Sequence, residues 1–499
     1  MDWATWFGTD GYDVAREVLL RGFAALTIVA LASALAQFPA LLGQHGLEPV
    51  PRFLARTSWR SAPSVFRWRY SDRLFRAYAW VGVALAASVV VGLAQAGPWW
   101  VVTVVFLLLW ALYLSIVNVG QTFYAFGWES LLCEALFLLA FLGSTRVAVP
   151  VVVLGLSRWL LFRLEFGAGL IKLRGDRAWR DLTAMYYHQE TQPMPGPLSW
   201  WAHHLPAWWH RVEVVGNHVA QLGAPVLLVA PQPVASVAAG VMVVTQLWLV
   251  ATGNFSWLNW AAIVLALGVV SDGVWARVLP WVAADDVAVG SRPPDDVPVA
   301  FAVVVGLAAV LLLVKSWRPL TNLFSSHQLM NASFDRYRLV NAYGAFGSVT
   351  KDRFEVVVEG TRDTGPGENE SVREPRWVAY EFRGKPGDVR RRPPQVAPYH
   401  LRLDWLMWFL ALRGYRDPWG SSWFDVLLLR LLEADRPTLA LLRRDPFRGE
   451  RPAAVRAVLY RYRYTTREER RRTGAFWARE EQTLFEPPLT LAEARHAVG

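Results

Sequence analysis

Apolar positions in this chain run together for longer than a helix or strand in water needs. Stretches of roughly 17–25 residues, the length that crosses a bilayer, fall near 22–42, 77–95, 99–117, 128–143, 147–170, 212–230, 233–251, 257–280 and 299–316. The pattern predicts a membrane all-α bundle of about nine transmembrane helices. Only Gly143, Ser144, Thr145 and Arg146 separate the fourth from the fifth. The connection 44–76 carries Arg52, Arg56, Arg60, Arg67, Arg69, Arg73 and Arg76 against Glu48 and Asp72. The connection 173–211 is rich in Trp, Tyr, His and Pro and is expected to cover one mouth of the bundle, whereas 283–296 is acidic and reads as a solvated loop.

The period changes after Val314. β-Branched and aromatic runs predict strands at 354–359, 377–383 and 458–464, with a polar loop over 360–375. Short helices are expected at 401–412 and 423–432, and 467–472 reads as a solvated charge run. The chain thus divides into a transmembrane bundle, 1–316, and a C-terminal soluble α+β domain, 317–499.

Composition supports this division. Hydrophobic residues make up 54% and charged residues 18%, below the ~25% charge of soluble domains. The 27 tryptophans fit interfaces where hydrocarbon meets headgroups, Trp200, Trp201, Trp208 and Trp209 above all. Most of the net charge of +10 falls beyond Trp317, where 31 basic residues face 23 acidic ones. One cysteine, Cys133, excludes an intramolecular disulfide and any cysteine-rich metal site. The acidic, polar start lacks the basic region of a cleavable signal peptide, so the first apolar helix is expected to direct insertion.

Ionisable side chains inside spanning segments are costly and mark candidate sites. Arg158, Glu165 and Lys172 are seven residues apart, and a helix drifts only about 20° per heptad, so they share one face. Interaction through neighbours in a polar interior, or simple snorkelling of Lys172 and Arg174 at a helix end, both fit the spacing. Glu129 and Glu134 on the preceding segment do not share a tight face, so each is expected to answer a different cation, with Arg158, Arg163 and Lys172 as candidates. His188, His203, His204, His210 and His218 match no standard metal-ligand spacing, and no metal is expected. Asn254 and Asn259 read as helix-end or packing residues, and Asp404 with Arg390, Arg391 and Arg392 as a solvated face or one for a partner or anionic headgroups.

The run from Glu165 to His188, continued by Gln192-Pro193-Met194-Pro195 and Pro197-Leu198-Ser199-Trp200, resembles the lipase maturation factor family. So do Tyr343 to Lys351, Arg391-Arg392-Pro393-Pro394 and Arg402-Leu403-Asp404-Trp405. The resemblance covers nearly the whole chain. It implies a membrane-embedded assistant that brings secreted lipases, or other exported clients, to an active state, with membrane lipids and the client as partners, no cofactor and no nucleic acid. It also implies a C-terminal domain on the extracytoplasmic side. The Arg/Ala/Val-rich composition suggests a high-GC bacterium and therefore its plasma membrane. Candidate binding residues are Arg158, Arg163, Asp176, Arg180, Tyr187, His188 and His218, and candidate catalytic residues, for the reading as an enzyme, are Lys172, Glu165 and Glu129.

A shorter resemblance, Ala168 to Leu173 with Trp179 and Tyr186, is to the vitamin K-dependent γ-carboxylase and its bacterial relatives. It implies Lys172 as a base acting on a lipid-soluble or peptide substrate. Where that family has a histidine on the preceding helix, this chain places Glu129. A transporter built on the same charged helix is the third alternative.

Overall fold

The computed structural model describes residues 7–279, 281, 297–363, 375–413 and 423–498. The expected acidic loop 283–296 and most of the polar loop 360–375 lie outside the described residues. Among the described residues the main helices of the bundle are α1 Asp13–Leu41, α2 Asp72–Val90, α3 Trp99–Val119, α4 Gly127–Leu139, α5 Val151–Arg174, α6 Ala207–His218, α7 Val234–Thr252, α8 Leu258–Leu267, α9 Asp272–Val278 and α10 Val299–Phe324. The start of α2 follows local chemistry: Ser71 accepts from the Leu74 N–H and Asp72 occupies the first turn, satisfying donors that a helix start leaves free. Helix α6 continues through a π turn, Val219–Gly223, and a 3-10 turn, Ala224–Val229.

Among the described residues six helical segments are long and apolar enough to cross a membrane, or seven if α8 and α9 count as one span. The expected nine are therefore not confirmed. Helix α4 has 13 residues, fewer than the roughly 17 a crossing needs. Helix α5 has 24 but carries the charges that set it apart from a plain apolar span. The stretch 257–280 is not one straight helix, since α8 and α9 meet at 102°. Asp272 at the start of α9 accepts the backbone N–H groups of Asp13 and Val14 at 3.0 and 3.1 Å, which ties that bend to the first turn of α1.

The C-terminal region centres on an antiparallel sheet of four strands, β1 Arg353–Thr361, β2 Val378–Ala379, β3 Ala454–Tyr464 and β4 Trp477–Thr490, in the order β2-β1-β3-β4. β1 and β3 pair from Arg353↔Tyr462 to Thr361↔Ala454. Helices α11 Arg402–Arg413 and α12 Trp423–Leu432 lie where expected. Of the expected strand 377–383 only β2 pairs fully, and Glu381 bridges to Arg444 beyond it. The expected charge run 467–472 is a helix, α13 Arg467–Thr473, closed at its start by a Thr466–Glu469 capping box and at its end by Gly474 with φ +70°.

The bundle and the sheet region are not separate bodies. One hydrophobic core runs from Phe38 and Phe123 in the bundle to Phe424 and Leu428 on α12. Gln37 Nε2 donates to the His400 carbonyl at 2.6 Å, and Asn254 Oδ1 accepts from the N–H groups of Val396 and Ala397. Arg336 Nη1 reaches the Arg60 carbonyl at 2.8 Å and Arg430 Nη2 the His45 carbonyl at 2.9 Å. The arginine-rich connection and the C-terminal domain therefore share one end of the bundle. Two expectations are corrected by this packing. Trp200 is not in a lipid belt: it is 4% exposed and donates to the Thr465 carbonyl at 3.0 Å. Asp404 is not a surface charge: it is 2% exposed and accepts the Gly384 N–H at 2.5 Å.

Candidate functional site

Helix α5 brings the charges of the sequence pattern together. Arg158, Glu165 and Lys172 all face the segment that follows Ala207, as their heptad spacing requires. Arg158 donates to the Leu228 carbonyl at 3.3 Å and to Tyr12 Oη at 2.9 Å. Lys172 Nζ donates to Asn217 Oδ1 at 2.9 Å and Gln221 Oε1 at 2.7 Å. Gln221 Nε2 in turn donates to Glu165 Oε2 at 3.2 Å, and Gln246 Nε2 to Glu165 Oε1 at 2.7 Å. The carboxylate and the ammonium thus interact through a shared amide. Lys172 also lies 4.7 Å from the centre of the Trp179 ring, which offers its face to the cation. The π turn in the α6 segment, a distortion that recurs at functional sites, supplies Gln221.

A second buried cluster surrounds Glu134. Arg163 Nη2 forms a short ion pair with it, and Tyr343 Oη and Asn341 Nδ2 donate to Glu134 Oε2 at 2.7 and 2.9 Å. A third surrounds Glu129, whose partner is not on α5. Arg402 Nη1 donates to Glu129 Oε1 at 2.5 Å and to the Phe123 carbonyl at 3.0 Å, while Tyr113 Oη donates to Glu129 Oε2. The structure therefore places Glu129 in the joint with the C-terminal domain, apart from the Lys172 amide network.

The connection 175–206 reaches Lys172 through Trp179, whose indole N–H donates to the Phe346 carbonyl at 2.8 Å. Asp176 caps the short helix Arg177–Arg180 through the Ala178 N–H and accepts the Val349 N–H at 3.2 Å, so it holds two of the recurring sequence stretches together. Gly167 and Gly175 allow that approach: a Cβ on them would lie 2.6 Å from the Tyr343 carbonyl oxygen and 2.1 Å from that of Gly347. His188 is buried beside Phe255 and Phe346. Burial first, and the nearby Lys172 charge second, hold its pKa down at about 4. His218 Nε2 lies 3.2 Å from the Trp179 carbonyl, the Tyr187 ring faces Lys351 Nζ at 5.9 Å, and Arg180 is exposed. Among the described residues no group of His, Cys, Asp and Glu could hold a metal.

Sequence reasoning missed Asn217, Gln221, Gln246, Asn341, Tyr343 and Arg402. The first three carried a readable signal, because a lone amide inside an apolar stretch needs a partner for the same reason an ion does.

The lipase maturation factor transmembrane domain family matches residues 14–277, and the lipase maturation factor C-terminal domain family matches residues 339–487. Lipase maturation factor 1 of Bos taurus is 38% identical over 97% of this chain and 90% of its own length. Its Homo sapiens counterpart is 37% identical over 98% and 90%. Lipase maturation factor 2 of Homo sapiens is 29% identical over 97% and 84%. No solved structure matches the chain.

Proposed function

Because the chain belongs to the lipase maturation factor family, we propose that this integral membrane protein assists exported lipases, or related exported clients, to reach an active folded or assembled state. The observation that carries this reading is the extent of the likeness: it spans bundle and C-terminal domain together, in order. Residues in the stretches that carry the resemblance, Asp176, Val349 and Arg402, also build the joint between them, with Arg402 pairing Glu129 of the bundle. In this reading the bundle anchors and positions the C-terminal domain, which meets the client on the extracytoplasmic side of a bacterial plasma membrane. The Lys172 network is a polar centre of the bundle that touches the C-terminal domain through Trp179, whose indole N–H donates to the Phe346 carbonyl at 2.8 Å. All three directions of the Lys172 ammonium are occupied, by two amide oxygens and a ring face, which suits a fixed internal charge better than an open base.

The test is specific activity, not secreted amount. In cells deleted for this chain, each secreted lipase is assayed per molecule released, with and without the chain restored. Restoration should raise the activity per molecule of at least one lipase. Unchanged specific activity of every lipase, with the restored chain present and folded in the membrane, would overturn the reading.

A further inference from the structure

Near the start of the candidate spanning segment Ala207–Val229 the fold leaves a basic, tryptophan-walled pocket of about 410 Å³, lined by Trp200, Trp201, His204, Arg467, Arg470 and Arg471. Its floor is the short helix Ser199–His203, only a few residues before the spanning segment Ala207–Val229. The first turn of that segment holds Trp208 62% exposed, as an indole at the hydrocarbon–headgroup boundary would be. The wall is α13. Its Arg470 guanidinium stands 4.4 Å from the centre of the Trp200 ring, 4.7 Å from Trp201 and 4.3 Å from Phe476, so the aromatic faces hold the charge in place. From the other side Arg392 lies 4.7 Å over Trp201. Arg467 spends one donor on the His204 carbonyl at 2.9 Å.

The acids nearby do not neutralise this charge. Glu469 is taken by Arg463 at 2.7 Å and by the cap of α13. Among the described residues no carboxylate forms an ion pair with Arg392, Arg467, Arg470 or Arg471. His204 Nδ1 donates to the Trp200 carbonyl at 2.7 Å, which leaves Nε2 as its other polar atom. Several guanidinium forks converging without a counter-charge are the arrangement that recognises phosphate oxygens, and tryptophan walls suit the glycerol and acyl ends of a lipid.

We propose that this pocket binds the phosphate headgroup of an anionic phospholipid from the adjacent leaflet. The lipid would fasten the C-terminal domain to the membrane surface beside α6, through contacts independent of the Lys172 network.

The test uses the full chain, delipidated in detergent, and native mass spectrometry with dioctanoyl-phosphatidylglycerol, dioctanoyl-phosphatidylcholine or inorganic phosphate. Wild type should retain the glycerol lipid at about tenfold lower concentration than the choline lipid. The double variant Arg470→Gln/Arg471→Gln should lose that preference, whereas Arg52→Gln/Arg56→Gln, which removes equal charge from exposed positions elsewhere, should keep it. Because Arg470 packs on three rings, Arg467→Gln/Arg471→Gln is the second variant and should also lose it. Equal retention of both lipids by wild type, or equal loss in the Arg52/Arg56 variant, overturns the proposal. So does displacement of the lipid by inorganic phosphate at the lipid's own concentration, which would identify a free-phosphate site, or release of a bound acidic peptide in its place.

Discussion

The Arg402 guanidinium lies 3.4 Å from the centre of the Tyr124 ring and 2.5 Å from a Glu129 carboxylate oxygen. A residue of the C-terminal domain thus completes the charge balance of a bundle helix, and both side chains are fully buried. Neither part can satisfy its own buried ion alone, so bundle and domain must dock for either charge to be compensated.

Removing one partner of such a pair strands the other. Arg402→Met should destabilise the protein by about 3–5 kcal/mol, read as a lowered unfolding temperature in detergent. Arg402→Met combined with Glu129→Gln should recover a large part of that loss, because the stranded charge is gone. If the double variant is as unstable as the single one, the cost lies in packing around Tyr124 and Trp257 and not in the ion pair.

Lys172→Ala should insert and purify, yet fail to support client maturation. Its loss leaves Asn217 Oδ1 and Gln221 Oε1 without their donor, a cost of about 1–3 kcal/mol for each acceptor left unpaired. The readouts are membrane yield and lipase specific activity in the deletion strain. Aggregation or degradation of the variant would mean that the lysine serves the fold alone.

What the sequence disclosed and what it hid differ by the range of the interaction. The face shared by Arg158, Glu165 and Lys172 was legible because heptad spacing is a local property of one helix. The strands around Val356 and Leu459 and the helix Trp423–Leu432 were legible for the same reason. Hidden were pairings set by tertiary contact: Arg402 with Glu129 lies 273 positions apart in sequence. Strand β4 escaped because its Glu480, Glu481, Pro487 and Pro488 argue against a strand, and it sits at a sheet edge, where proline and bulges are tolerated. The bend between α8 and α9 was invisible in hydropathy, since both halves are apolar and Asp272 meets its partners on α1.

Acid should weaken the fold through its buried histidines. Burial lowers His188 and His203 to about 4 and His400 to about 3, against an ordinary value near 6.5. The unfolded chain therefore takes up protons that the folded state refuses. Stability from this source is whole above about pH 6.5 and drains as pH falls toward 4, by about 1.4 kcal/mol per pH unit for each histidine. Asp404 works the opposite way: burial raises it to about 6, so its contribution is present below about pH 4 and is lost as pH rises through 6. His188→Gln isolates one histidine. Its unfolding temperature should fall less between pH 7 and pH 5 than that of wild type, and an equal fall would show that His188 is not held neutral.

Sidedness decides whether the C-terminal domain can meet an exported client at all. The contacts of Arg336 with Arg60 and of Arg430 with His45 put that domain and the 44–76 connection on the same side, which an odd number of crossings such as seven or nine allows and six does not. The arginines of 44–76 pull that side toward the cytoplasm by the positive-inside rule, but large domains translocate largely regardless of their charge. The maturation role requires the outside. Single cysteines at Ser61 and Gln482, both exposed, in a Cys133→Ser background, report on the connection and on the domain; Gly365, in the polar loop, lies outside the described residues. Both should react with a membrane-impermeant maleimide in intact cells. Protection of both until lysis would place the domain in the cytoplasm and remove it from the path of secreted lipases. Reaction of only one would contradict the contacts that join them.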